Sequence, residues 1–380
     1  MKDETRCVHA IDKSKDNPYS VVPAISNSTA YHYIDKGPLI YPGFSSTPNQ
    51  ERLGQIIANL EGADFGIAFS SGMAAITSAI LSLVKAGDHI IWSKELYGGT
   101  QKFAHELNER QISCSFVNGT IEGFEAARRT NTKLVFVESP SNPTLKIIDL
   151  KAVSDWAQNH KLITVIDNTF ATPINQRPLA LGFDIVLHSG TKFLGGHNDL
   201  MFGGLATKWR NHYESIRNYT KLYGGSLDAH SCYLAERSIK TLSLRVRQQN
   251  ESALNIAHFL QDHPMISKVY YPGLSTHENH EIARKQMSGF GGLLSFQIEA
   301  SPTKLRDFLS SLTLISPALS LGGVESLICI PALTSHSSLS PEQRKELNIA
   351  DNLIRLSVGI EHSMDLIEDI TMAIQQISTP

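Results

Sequence analysis

The run Ser189-Gly190-Thr191-Lys192 sets a primary amine beside two hydroxyls at the end of an apolar stretch, and Gly195-Gly196-His197 follows it. A lysine amine can condense with a carbonyl once burial depresses its pKa, and neighbouring hydroxyls suit it to an anionic cofactor. Taken alone, the same lysine reads as a surface amine. Asp167 closes a second apolar run, where an unpaired carboxylate is costly to bury. A protonated pyridine-type nitrogen would satisfy it, and so would the N-terminus of a following helix. Phe69-Ser70-Ser71-Gly72-Met73-Ala74-Ala75 passes from a strand-like run into a helix, and the free N–H groups and dipole of that start favour a phosphate. Many helices open with such a pair. Tyr97, in Glu95-Leu96-Tyr97-Gly98-Gly99-Thr100, is an aromatic beside two glycines, suited to stacking on a flat ring or to plain loop packing.

These residues sit where a particular architecture would collect them. From about Asn49 to Gly204 helical and strand-like blocks alternate. Leu53, Ile56, Ile57 and Leu60 share one face of a helix over Glu51–Leu60, and Gly72–Val84 is a second, stopped by Lys85-Ala86-Gly87. His89–Trp92, Leu134–Val137, Ile163–Ile166 and Asp184–Leu187 are continuously apolar, as parallel strands buried on both faces are. Leu150–His160 supplies a helix between them, so the pattern predicts an α/β domain with a mostly parallel sheet. Ligands of such sheets bind beyond the carboxyl ends of the strands. Those ends carry Glu138-Ser139-Pro140-Ser141-Asn142-Pro143, Asp167-Asn168-Thr169 and His188 to Lys192. After about Thr241 a long helix (Leu244–Leu260), strands at Ile266–Tyr270 and Gly292–Ile298 and a last helix (Ser363–Gln376) predict a smaller α+β domain. The division is an arm over 1–48, a large domain over 49–243 and a small domain over 244–380.

The bulk properties exclude other classes. Of 380 residues, 41% are hydrophobic and 19% charged, the profile of a globular chain. A net charge of -3 gives no electrostatic case for nucleic acid or an acidic membrane. No apolar run reaches the roughly 20 residues that span a bilayer, and the charged start lacks a signal peptide's apolar stretch. Four scattered cysteines form no metal or disulfide pattern, which places the chain in the cytoplasm. His277 and His280 fall in a segment expected to be a polar surface loop, and no metal site is predicted.

These blocks resemble the Cys/Met-metabolism enzymes that use pyridoxal 5'-phosphate (PLP): cystathionine γ-synthase, cystathionine γ- and β-lyases and methionine γ-lyase. The likeness runs from Glu4-Thr5-Arg6-Cys7-Val8-His9-Ala10 through Leu60-Glu61-Gly62 and the blocks above to four later ones. These are Leu242-Ser243-Leu244-Arg245-Val246, Tyr271-Pro272-Gly273, Ser320-Leu321-Gly322-Gly323-Val324-Glu325-Ser326-Leu327 and Ile354-Arg355-Leu356-Ser357-Val358-Gly359-Ile360-Glu361. The resemblance implies a PLP-dependent transferase fold of type I, with Lys192 as the covalent attachment point and Asp167 paired with the ring nitrogen. It implies that Tyr97 stacks on the ring and acts as acid–base at the leaving group, and that Asn142 contacts the 3-hydroxyl oxygen. Gly72 and Met73 amides with Ser189 and Thr191 hydroxyls would hold the phosphate. Arg355 would clamp the substrate carboxylate, Ser320 would place the lysine or the substrate, and Glu325 is available for substrate binding. A homotetramer, a dimer of dimers with shared active sites, is also implied.

One departure stands out. The family's arm carries a Tyr-x-Arg motif that reaches a neighbouring subunit's phosphate; Tyr41 is present here, but Gly43 occupies the arginine position. Weaker PLP retention is the consequence, since a charge-assisted contact is worth about 1.5–3 kcal/mol. Cys329, where some members place a carboxylate, offers no ionic contact to a distal amine. The glycines and Val324 after Ser320 look most like the synthases, which predicts γ-replacement on an O-acylated homoserine by a thiol such as cysteine. The alternative is γ- or β-elimination from cystathionine or methionine. Substitution by another nucleophile and a non-catalytic homologue complete the set.

Overall fold

In the computed structural model, which describes residues 1–9, 20–337 and 339–378, two sheets organise the chain. The larger comprises β1 (Phe65–Phe69), β2 (His89–Ser93), β3 (Ser113–Val117), β4 (Thr132–Glu138), β5 (Ile163–Asp167), β6 (Ile185–Ser189) and β7 (Gly203–Thr207). Its order is β1-β7-β6-β5-β4-β2-β3. From β6 to β3 the pairs are parallel, whereas β7 runs antiparallel to both β6 and β1. The apolar runs that predict doubly covered strands are indeed buried on both faces: every residue of β2 is buried, as are the last five of β4. Helices Gly72–Leu83, Leu150–Asn159 and Leu242–Gln261 lie within a residue or two of their expected bounds.

Some elements escape the pattern. Strand β3 is only half-buried and short on apolar residues, and β7, which opens Gly203-Gly204, carries no clear strand signal. Those glycines serve close approach: a Cβ on Gly203 would fall 2.1 Å from the Ser71 carbonyl oxygen, so only glycine lets the start of helix Gly72–Leu83 rest on the strand. Helices Gly98–Glu106 and Arg210–Tyr223 also appear where glycine or charge dilutes the helical stripe.

The smaller sheet holds β8 (Ile266–Tyr270), β9 (Leu293–Ile298), β10 (Ser316–Pro317), β11 (Leu327–Cys329) and β12 (Leu353–Ser357), in the order β10-β11-β12-β9-β8. All its pairs but β10–β11 are antiparallel. Helices Leu242–Gln261 and Ser363–Ser378 bury Ile256, Leu260, Ile370 and Ile374 in one apolar cluster with Leu294, Phe296 and Leu356 of this sheet. His277 corrects the expectation of a polar surface loop: it is buried, and burial draws its pKa down to about 4. His280 opens a helix, His280–Gln286, and its ring bonds the Pro272 carbonyl. Among the described residues there is no cluster of metal-ligating side chains, all four cysteines are free, and no helix is long and apolar enough to cross a membrane.

Candidate active site

The carboxyl ends of β4, β5 and β6 bring Glu138, Asp167 and Ser189 to one edge of the large sheet, Glu138 opposite Asp167 in register. Asp167 is buried, and Thr169 donates to its Oδ1 with both the backbone N–H (3.0 Å) and the hydroxyl (2.5 Å). Burial raises the Asp167 pKa, and the Thr169 donors and the charge of His188 oppose that rise. The Thr169 hydroxyl in turn accepts the Ser189 N–H at 2.8 Å, which ties the two strand ends together.

Beyond Ser189 the chain turns back on itself, Lys192 N–H to the Ser189 carbonyl and Gly195 N–H to that of Gly190. The turn aims Lys192 across to the small sheet, where its Nζ donates to Ser320 Oγ at 3.1 Å. Burial lowers the lysine's pKa and the positive charge of Arg355 lowers it further. Ser320 holds φ +94°, a conformation a serine adopts only when its surroundings impose it. Arg355, on β12, is buried; one terminal nitrogen donates to Asn142 Oδ1 (3.0 Å) and the other to the Ser320 carbonyl (3.1 Å). Its Nε is buried without a partner, an arrangement that native structures keep where a ligand completes it. Asn142, Lys192, Ser320 and Arg355 thus form one network from four distant segments.

On the other side of Lys192, the start of helix Gly72–Leu83 lies against Ser189. Ser71 caps the helix, its hydroxyl accepting the Ala74 N–H at 3.0 Å, so the amides of Gly72 and Met73 at the first two helical positions have no intrahelical acceptor. A Cβ on Gly72 would lie 3.0 Å from Ser189 Oγ, so these N–H groups and that hydroxyl share one small cradle. Tyr97, 48% exposed, leads into helix Gly98–Glu106; its ring folds over Gly99, where a Cβ would meet Cε1 at 2.6 Å and Met73 Sδ at 3.2 Å.

Three expected site residues are not drawn into this group within the single chain. The Thr191 hydroxyl accepts the Phe202 N–H (3.1 Å) and donates to the Phe202 carbonyl (3.3 Å), so it braces the Lys192 turn with no proton left for an anion. Glu325 is exposed and accepts from Asn198 Nδ2 at 2.9 Å rather than joining Arg355. Tyr41 is exposed and packs edge-on to Phe44 within the arm, ring centroids 5.2 Å apart. Other residues carry the site without a sequence role assigned to them. Glu138 accepts the Tyr97 N–H, Thr169 anchors Asp167, and buried His336 is close enough to Arg355 for that charge to help lower its pKa to about 4. Behind the strand ends, buried Glu61 accepts from both His188 (2.6 Å) and Asn168 (3.0 Å). The short Asp-x-Thr spacing is a signal for Thr169; the other contacts join segments too far apart to show locally.

Comparison with known proteins gives a consistent set of relatives. Residues 4–375 match the family described as Cys/Met metabolism PLP-dependent enzyme. A cystathionine β-lyase of Lactococcus lactis subsp. cremoris (strain MG1363) is 45% identical over 334 residues, 87% of each chain. A cystathionine γ-lyase of Bacillus subtilis (strain 168) is 42% identical over 381 residues, covering 99% of this chain and 100% of that one. The solved cystathionine γ-lyase from Lactobacillus plantarum, complexed with L-serine, superposes with TM-score 0.94 at 37% identity over the whole of both chains. A cystathionine γ-synthase from Xanthomonas oryzae pv. oryzae gives 0.95 at 33% identity, covering 100% of this chain and 99% of that one.

Proposed function

The chain belongs to the Cys/Met-metabolism PLP-dependent enzymes, and from that premise we propose that it is a lyase that breaks a carbon–sulfur bond of cystathionine or a similar amino acid. Its fold is type I and its cofactor is PLP. The residues suit that cofactor: an anion cradle at Gly72, Met73 and Ser189, and a buried carboxylate at Asp167 whose two donors both fall on one oxygen. Asp167 would face the ring nitrogen, Asn142 the 3-hydroxyl oxygen and Tyr97 the ring face, with Lys192 as the covalent partner. Once bound, PLP supplies the electron sink that stabilises charge left on the substrate's Cα.

The observation that carries the reading is the Lys192–Ser320–Arg355–Asn142 network. Arg355, already braced at two nitrogens, keeps a third buried and unpaired for the substrate carboxylate. Burial favours the neutral Lys192 amine, the form that removes a Cα proton, and Ser320 marks the place to which that amine returns. The Tyr97 hydroxyl moves a proton at the departing sulfur. Elimination gains weight over γ-replacement from the curated relatives, which at 38–45% identity are cystathionine lyases. Replacement on an O-acylated homoserine is the second reading, favoured by Cys329, which sits opposite Arg355 in the sheet and offers a distal ammonium no charge. The arm exposes Val21, Ile34, Leu39, Tyr41 and Phe44, which supports packing on a neighbouring subunit in a homotetramer built as a dimer of dimers.

The test is a comparison of cystathionine with O-acetyl- and O-succinyl-homoserine, with and without cysteine. Oxoacid and thiol released from cystathionine, and lost in Lys192→Ala, are the expected result. Cystathionine made from an acylated homoserine plus cysteine, with none consumed, would replace the lyase by the synthase.

A further inference from the structure

Two loops at the edge of the site are laced together. One leads from β2 to Tyr97; the other follows β4 through Asn142. Glu138 donates its backbone N–H to Ser93 Oγ (3.2 Å) and accepts the Tyr97 N–H on Oε2 (2.8 Å). Glu95 makes the same connection farther out: its Oε2 accepts from Ser141 (2.7 Å) and Thr144 (2.6 Å), and its Oε1 pairs with Lys146 (2.6 Å). Apart from its carbonyl, which accepts the Gln101 N–H (2.9 Å), Tyr97 has no other backbone hydrogen bond among the described residues. Its ring is half-exposed and its neighbour Gly98 opens a helix of nine residues.

We propose that Glu138 is a positioning residue for the PLP chemistry: from the end of β4 it holds the Tyr97 backbone, and through it the phenol ring, against the site defined by Asp167 and Lys192. The inference rests on Tyr97 acting at that site. A buried acceptor fixed at a strand end is a precise anchor, because removing it leaves the N–H only less ordered partners. Glu138 also stands beside Asp167 in register, and two carboxylates in one dry corner disfavour a shared charge. Burial pushes Glu138 well above the ordinary carboxylate range, the charge of Asp167 adds to that, and N–H donors from Tyr97 and Asn142 work against it. Charged or neutral, the Glu138 carboxyl oxygen accepts the Tyr97 N–H, so the anchor does not depend on its proton.

The experiment uses the PLP-loaded full chain and reads the circular dichroism of the cofactor's visible band together with kcat. Glu138→Ala should weaken both, kcat by about tenfold, the share of one buried hydrogen bond. Glu138→Gln, whose carbonyl accepts the same N–H, should restore both to near wild type. In a Tyr97→Ala background Glu138→Ala should add nothing further. Three results overturn the proposal: a Glu138→Ala enzyme equal to wild type, a Gln variant as impaired as Ala, or an undiminished Glu138→Ala effect without the tyrosine. If Tyr97→Ala alone moves neither signal, the role given to Tyr97 fails instead, and the proposal with it. Should the alanine variant not fold, Glu138→Asp takes its place. Its shorter arm keeps the carboxyl group but cannot reach the N–H, so it too must lose the band, and an unaltered band would overturn the proposal.

Discussion

Replacing Gly72 by alanine should loosen the grip on PLP more than it harms the fold. A Cβ there would lie 2.9 Å from Ser189 Cβ and 3.0 Å from both Ser189 Cα and Oγ. Ser189 cannot yield, because its N–H is fixed to Thr169 and its strand is paired on both sides. Nor can the helix start retreat on its other side, where the Ser71 carbonyl already rests on Gly203. Overpacking of this kind costs roughly 1–3 kcal/mol, and here part of it falls on the cradle itself. Charge-assisted bonds from the two amides are worth about 1.5–3 kcal/mol each. Weakening them by about half predicts a rise of roughly 10–100-fold in the PLP dissociation constant. Titration of apo-protein with PLP, followed by absorbance, gives the affinity, and thermal unfolding of the apo form gives the packing cost. A lower midpoint with unchanged PLP affinity would refute the assignment of this helix start to the phosphate.

Gly43→Arg should act in the opposite direction. Gly43 lies in the turn Pro42–Phe44 with its φ outside the left-handed region, and its Cβ would meet only the Tyr41 ring, at 3.1 Å. An arginine fits there, and the variant should hold PLP about 10–100-fold more tightly; equal affinities in the titration would remove the arm from the phosphate site. His336 governs part of the acid response. Its pKa falls from 6.5 to about 4 on folding, first through burial and then through the charge of Arg355. The folded chain therefore binds fewer protons between those values, so stability is lost as pH falls from 6.5 towards 4 and levels off below. His336→Asn should reduce that slope without abolishing it, since burial also lowers His89, His212 and His277. Denaturant midpoints measured from pH 7 to 4 with an unchanged slope would reject the assignment.

The large sheet was legible because four of its parallel strands, β2, β4, β5 and β6, are written as apolar runs, and the last three end in the polar residues that a site at the carboxyl edge requires. Asp167 and Lys192 follow from that alone as candidates. Strand β7 did not, since its two glycines exist for the close approach of Ser71 and carry no strand signal. Glu61 was equally hidden: its partner His188 is 127 positions away, and no local spacing connects a helix end to a strand end across that interval. Thr191 shows the converse. A hydroxyl beside the lysine suggests an anion ligand, and nothing local announces that it also satisfies the Phe202 backbone inside the turn.

Arg355 shows why such a site resists derivation from residues in order. Nothing within β12 distinguishes its arginine from one paired with a surface carboxylate. Its meaning comes from the register that sets it opposite Cys329 on one side and Ser295 on the other, and from the facing sheet that brings Asn142. Lys192 belongs to the large sheet, Arg355 to the small one, and Ser320 touches both, through its hydroxyl to the lysine and its carbonyl to the guanidinium. A serine with φ +94° is costly to hold, by roughly 1–3 kcal/mol, unless bonds on both sides impose it. That makes Ser320 the residue through which the position of the small sheet reaches the amine. A shift of either sheet therefore moves Lys192 and Arg355 relative to each other.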